Sequence, residues 1–281
     1  MTDPAGRPIV VGVNATAESR FALEVAIGEA RFRARPLRLV YAESLILGGE
    51  RLPEESGILE AALDVAREQV GEGSVSGIVV NERPAPGILD QATGAELIVV
   101  GSRARSAIAS VVLGSVSSAV AVEARCPVLV ARPSREHSPL GPRVLVGVDG
   151  SELSSRAVAF AFEEASNREL PLVAVHCWQV DHPDAAQWDA ELFAARRNEH
   201  LMWMSESIAG FRDKYPDVAV TTNVLEGRAA VLLTELSRGA ELLVVGSRGR
   251  GGLRGMALGS VSQSLLHHAY CSVAVVRAVQ E

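Results

Sequence analysis

At 281 residues the chain is too long for one ordinary small domain and suits two. Apolar residues make up 48% and charged residues 22%, as in a soluble globular protein, while aromatics reach only 4%, so the core must rest on Val, Leu, Ile and Ala. A net charge of −7 without a long run of like charge excludes a basic nucleic-acid module, no apolar run reaches membrane-spanning length, and MTDPAGRPIVV lacks the form of a signal peptide. A cytoplasmic protein with no nucleic-acid and no membrane partner is therefore expected. Cys126, Cys177 and Cys271 are an odd number in apolar settings and read as reduced core thiols.

In chain order, the first strand is expected from Ile9 to Val13, ending at Asn14, followed by a helix from about Ser19 to Arg33 with Phe21, Ala22, Val25, Ala26 and Phe32 at helical spacing. Leu37 to Ala42 reads as a strand. A loop with Gly48, Gly49 and Pro53 leads to a helix from about Glu55 to Val70. Ser76 to Val80 is a short strand, Pro86 to Thr93 a short helix, Leu97 to Val100 a strand ending at Gly101, Ser115 to Glu123 a helix and Pro127 to Ala131 a strand.

The second half writes the same unit again. VLVGVDGSELSSRAVAFAFEEA from Val144 lines up with VVGVNATAESRFALEVAIGEA from Val10 at an offset of about 135. ELLVVGSRGRGGLRGMALGSVSQSL from Glu241 lines up with ELIVVGSRARSAIASVVLGSVSSAV from Glu96 at about 145. The extra residues of the second copy fall between Val175 and Gly246 and are expected to lengthen its second helix, from about Asp184 to Lys214. The proline-rich join around PSREHSPLGP marks a linker, giving domains over 1–135 and 143–281 with 136–142 between them. Alternating strands and helices, with strands that are nearly continuous Val/Ile/Leu runs, predict an α/β fold with a mainly parallel, doubly wound sheet in each half.

Ligands in such sheets bind beyond the C-terminal strand ends. In the second copy two features lie there. One is Asp149 after the first strand. The other is Gly246 to Ser262, a strand end that runs through a glycine-rich loop into a helix start at Gly259-Ser260. Glycines let backbone N–H groups approach an anion, and a helix N-terminus supplies free donors and partial positive charge, so this is a place to hold phosphate. Arg248, Arg250 and Arg254 add charge there, although solvated loop arginines are equally common. An aspartate at a strand end can accept two ribose hydroxyls or serve as a plain turn residue, and Gly249 and Ser260 have plain readings as a turn and an N-cap.

Gly246-x-x-Gly249, nine residues, then Gly259-Ser260 resembles the ATP-binding signature of the universal stress protein family, and both units are similar to that family along nearly their whole length. The resemblance implies five parallel strands per domain with helices on both faces, in a tandem arrangement. It implies an adenine nucleotide as ligand, namely ATP with or without Mg, and no separate metal site. It also implies a regulatory or signalling role in stress adaptation with slow or no turnover. By that resemblance Asp149 meets the ribose or adenine region, Val175, Gly147 and Val148 line the base, and Gly246, Arg248, Gly249, Gly259, Ser260, Val261 and Ser262 hold the phosphates. The corresponding positions of the first copy are Gly12, Val13, Asn14, Val40, Gly101, Arg103, Gly114, Ser115, Val116 and Ser117.

The first copy departs from the signature, with Ala104 in place of the second glycine and Asn14 in place of the aspartate. Alanine there would cost about 1 kcal/mol if positive φ were needed, or would block close approach; weaker binding than in the second copy is expected. Neither a triphosphatase loop nor a dinucleotide fingerprint is present, the histidines show no metal spacing, and His267-His268 reads as a surface or capping pair. No positioned general base is visible, which disfavours an efficient hydrolase. Three classes stay open: an ATP-binding regulator, a weak ATP hydrolase, and a nucleotide-free scaffold or cyclic-AMP binder. The short apolar strands that end each unit are expected to pair the two units as a pseudo-dimer and to support a homodimer.

Overall fold

In the computed structural model the described residues are 6–43, 57–102, 113–134, 138–139, 141–179, 190–249 and 257–277. The loop with Gly48, Gly49 and Pro53, the helix starts expected at Glu55 and Asp184, Glu136, His137 and Leu140 of the linker, and Arg103, Ala104, Arg250 and Arg254 lie outside them. The chain divides into two compact units, one reaching Pro133 and the other spanning Ser134–Arg277.

The first unit runs β1 (Ile9–Val13), α1 (Ala17–Phe32), β2 (Leu37–Ala42), α2 (Ile58–Val70), a 3-10 turn (Glu72–Ser74), β3 (Val75–Val80), α3 (Pro84–Gln91), β4 (Leu97–Gly101), α4 (Ser115–Glu123) and β5 (Val128–Ala131). The short helix α3 starts earlier than expected because Pro84 and Pro86 suit a first turn, where a missing N–H costs nothing. The strand order is β3-β2-β1-β4-β5, all parallel. Ile9, Val10 and Val11 of β1 are fully buried, as a strand covered on both faces must be.

The second unit repeats the plan with β6 (Val144–Gly147), α5 (Glu152–Asn167), β7 (Leu172–Trp178), α6 (Ala190–Lys214), β8 (Val220–Glu226), α7 (Ala229–Leu236), β9 (Leu242–Gly246), α8 (Ser260–His268) and β10 (Ser272–Val276), in the order β8-β7-β6-β9-β10, again parallel. The added residues do extend the second helix: α6 has 25 residues where α2 has 13. In each unit the strand order reverses beside the first strand, and the crevice of a doubly wound sheet opens at that point.

A buried ion network recurs at the opposite end of both sheets. Glu29, with no exposed surface, pairs with Arg33 at 3.0 Å, and Arg33 reaches Glu96 at 3.4 Å. Glu164, equally buried, pairs with Arg168 at 2.9 Å, and Arg168 reaches Glu241 at 2.8 Å. Each network ties the C-terminal turn of the first helix to the residue just before the fourth strand. Directly after it, Ala34 (φ 49°) and Glu169 (φ 54°) take the left-handed conformation that ends the helix, at positions where glycine is the usual choice. Among the described residues no helix is long and apolar enough to cross a membrane.

Candidate functional site

The site of the second unit starts with how β6 turns into α5. Ser151 is the N-cap of α5, and its hydroxyl accepts the Ser154 N–H at 3.1 Å. The Ser151 N–H and hydroxyl both donate to Asp149 Oδ1, at 2.9 and 2.7 Å. The Asp149 N–H donates to Ser154 Oγ at 3.0 Å. One carboxylate oxygen is thus committed to the turn, and the turn fixes the direction of the other. Asp149 Oδ2 lies against Gly249, where an added Cβ would come within 2.2 Å of it. That contact explains the glycine. Gly249 does not take positive φ, so the conformational reason raised from the sequence does not apply; space beside Asp149 is what excludes a side chain.

The glycine loop is pinned at its base. Gly259 N–H donates to Ser247 O at 2.7 Å, and Ser262 Oγ donates to the same carbonyl at 2.9 Å. Ser262 is buried, so its hydroxyl closes the loop from beneath. The N-cap of α8 is Gly259, which has no side chain to cap with, and Ser260 is the first helical residue rather than the cap. The first N–H groups of a helix lack intrahelical acceptors, so an end built on glycine leaves donors for an anion. Gly246 is needed for a separate reason: its Cβ would lie 3.1 Å from the Leu153 backbone at the start of α5.

These pieces enclose a cavity of about 660 Å³, within the ~300–1,000 Å³ usual for small-molecule sites. Gly147, Val148, Asp149, Val175, Gly246, Arg248, Gly249, Gly259, Ser260, Val261 and Ser262 all line it. Cys177, Gln179, Leu233 and Leu258 also line it and were not anticipated. Cys177 follows Val175 by two on β7, so strand periodicity alone could have found it. Burial pushes its thiol up to about 11, which keeps it protonated at neutral pH. Behind this wall, buried His176 bonds Val148 O through Nδ1 at 2.7 Å and His200 of α6 through Nε2 at 3.1 Å, with Trp203 edge-on to its ring. The lengthened helix α6 is thereby tied to the strand end that carries Asp149.

The first unit repeats the turn in detail. Thr16 caps α1, its N–H and hydroxyl donate to Asn14 Oδ1 at 2.9 and 2.8 Å, and the Asn14 N–H donates to Ser19 Oγ at 2.8 Å. Gly12, Val13, Asn14, Val40, Gly101, Gly114, Ser115, Val116 and Ser117 line one cavity of about 200 Å³. Arg103 lies outside the described residues. Gly114 caps α4 without a side chain, and Ser117 Oγ donates to Gly101 O at 2.6 Å. The carboxylate of this cavity is Glu18, where the counterpart's is Asp149.

Among the described residues no group of three His, Cys, Asp or Glu side chains is placed to hold a metal ion. His267 and His268 sit in the last turn of α8 with ring centroids 6.1 Å apart. Cys126 and Cys271 are buried cysteines outside any disulfide.

Comparison with known proteins agrees with this architecture. Among solved structures, a universal stress protein from Archaeoglobus fulgidus superposes with a TM-score of 0.66 at 21% identity, covering 96% of both chains. A Pseudomonas aeruginosa protein of unknown function reaches 0.72 at 23% identity, covering 98% of this chain and 94% of that one. At these identities the likeness shows the fold. A universal stress protein of Mycobacterium tuberculosis is 38% identical over 96% of each chain, and another from the same organism is 34% identical over the same shares. The family model for the universal stress protein family matches twice, over residues 6–132 and 142–277, and the chain therefore belongs to the universal stress protein family, carrying its domain in tandem.

Proposed function

We propose that the second unit binds ATP and that the protein acts as a nucleotide-dependent regulator in stress adaptation rather than as an enzyme of high turnover. The observation that carries this is one cavity holding both an α8 N-terminus capped only by Gly259 and a carboxylate, Asp149, with one oxygen held by the turn and the other directed at Gly249. The residues fit the ligand. A triphosphate suits the backbone donors at Gly259, Ser260 and Val261 and the Arg248 guanidinium. Asp149 Oδ2 suits ribose hydroxyls, which need an acceptor. Gly147, Val148 and Val175 supply an apolar wall for the base.

Low turnover follows from what the wall offers. Asp149 is the only carboxylate among the described lining residues, and both of its oxygens are engaged in this scheme. Cys177, the other titratable group on that side, stays neutral. Neither is a poised base for an attacking water. The proposal extends to association of two chains, and a single-chain mass in sedimentation equilibrium at micromolar concentration would remove that part.

The test is competition at the second site. The whole chain, loaded with a fluorescent ATP analogue, is challenged with ATP, ADP, AMP and cyclic AMP. The proposal expects affinity to fall with each phosphate removed. Displacement by cyclic AMP in preference to ATP would replace it with the cyclic-nucleotide reading, and no loading at all would favour a scaffold.

A further inference from the structure

The two cavities share a frame but differ in two side chains whose chemistry points in opposite directions. In the second unit Asp149 Oδ1 serves the turn and its second anionic acceptor, Oδ2, lies against Gly249. In the first unit Asn14 Oδ1 takes both Thr16 donors, so the amide NH2 stands where the second unit has that oxygen. The acceptor has become a donor.

The second difference is at the start of the first helix. At an offset of 135, Glu18 of α1 corresponds to Leu153 of α5. Glu18 lines the first cavity, and its own Cβ would lie 3.3 Å from a Cβ placed on Gly101, the residue that leads into the glycine loop. An acidic side chain therefore starts beside the strand end from which phosphate would be approached and is among the residues lining the cavity. The second unit presents no charge at the matching place. The first cavity is also smaller, at about 200 against 660 Å³.

Resting on the nucleotide reading above, we infer that the first unit's cavity takes an uncharged nucleoside and excludes the triphosphate, with Glu18 as the excluding residue and Asn14 as its companion. The apolar base wall is retained, since Val13 and Val40 line this cavity as Val148 and Val175 line the other. A neutral nucleoside offers hydroxyl donors to Glu18 and ring or hydroxyl acceptors to the Asn14 amide. A polyphosphate entering this cavity meets a like charge among its lining residues. The chain then senses two species, one with phosphates and one without.

Calorimetric titration of the whole chain tests this with ATP and adenosine as the probes. Wild type is expected to bind one ATP and two adenosines. Glu18→Leu with Asn14→Asp, which writes the second unit's residues into the first, should bring ATP to two sites, with a gain of at least tenfold in affinity at the new one. Leucine already occupies this helix position in α5, and Glu18→Gln keeps the shape should the double variant melt early. Two ATP sites in wild type would overturn the inference. So would a folded double variant, and a folded Glu18→Gln, that both stay at one ATP, or a wild type that binds one ATP yet takes a single adenosine. Asp149→Ala silences the second site, so adenosine titrated into that variant reads the first cavity alone. One adenosine there, beside a wild type that binds no ATP, would overturn the reading of the second unit and leave this one standing.

Discussion

Gly249→Ala tests whether Asp149 and the glycine loop act as one device. The new Cβ would lie 2.2 Å from Asp149 Oδ2, while a carbon and a carboxylate oxygen need roughly 3.3 Å, so one of them must retreat by about 1 Å. The carboxylate cannot swing away freely, because Oδ1 accepts from the Ser151 N–H and hydroxyl. Losing both bonds costs about 1–3 kcal/mol at 0.5–1.5 kcal/mol each. At 1.4 kcal/mol per tenfold, that is a loss of ATP affinity of about 5- to 150-fold. The assay is calorimetry with ATP on wild type and Gly249→Ala, with the cycle completed by denaturant unfolding of wild type, Gly249→Ala, Asp149→Ala and the double variant. If the clash is the mechanism, Gly249→Ala costs nothing further once Asp149 is alanine, and the cycle shows an interaction energy equal to the single effect. Additive losses would refute the reasoning, as would a Gly249→Ala chain that binds like wild type.

Further expectations follow from the same geometry. Ser262→Ala removes the hydroxyl that donates to Ser247 O beneath the loop, so thermal stability should fall by about 1 kcal/mol and ATP affinity should drop while adenosine affinity does not. Arg168→Met leaves the fully buried Glu164 without this guanidinium, and denaturant titration should show the second unit destabilised by about 3 kcal/mol. Ala34→Gly relieves a left-handed non-glycine residue after α1 and should stabilise by about 1 kcal/mol, read as a higher unfolding midpoint. The Cys177 thiol, at about 11 in the folded state against 9.0 when free of burial, ionises first in the unfolded chain; stability should fall as pH rises from 9 toward 11, and Cys177→Ala should flatten that fall.

Much of this was legible because it is local or written twice. The two strand–turn–helix starts share the spacing Asn14-Thr16-Ser19 and Asp149-Ser151-Ser154, and their hydrogen bonds are the same. The pairing of strand end and glycine loop follows from the doubly wound order. What escaped depends on contacts between distant segments. The Glu29–Arg33–Glu96 and Glu164–Arg168–Glu241 networks join a helix end to a residue more than sixty positions away, and only their recurrence at both offsets could have betrayed them. The reason for Gly249 was missed because it lies in where Asp149 directs an oxygen, a tertiary fact. Glu18 is, by sequence position alone, indistinguishable from any acidic residue in a helix first turn, a placement that the helix dipole favours on its own. Its place in the cavity emerges only when α1 is laid beside β4.

Equilibrium dialysis of the whole chain against labelled ATP, with Asp149→Ala in parallel, decides whether the second unit is a nucleotide site. One ATP retained per wild-type chain and none per variant chain is the expected result. No retention by wild type, or equal retention by both proteins, would contradict it.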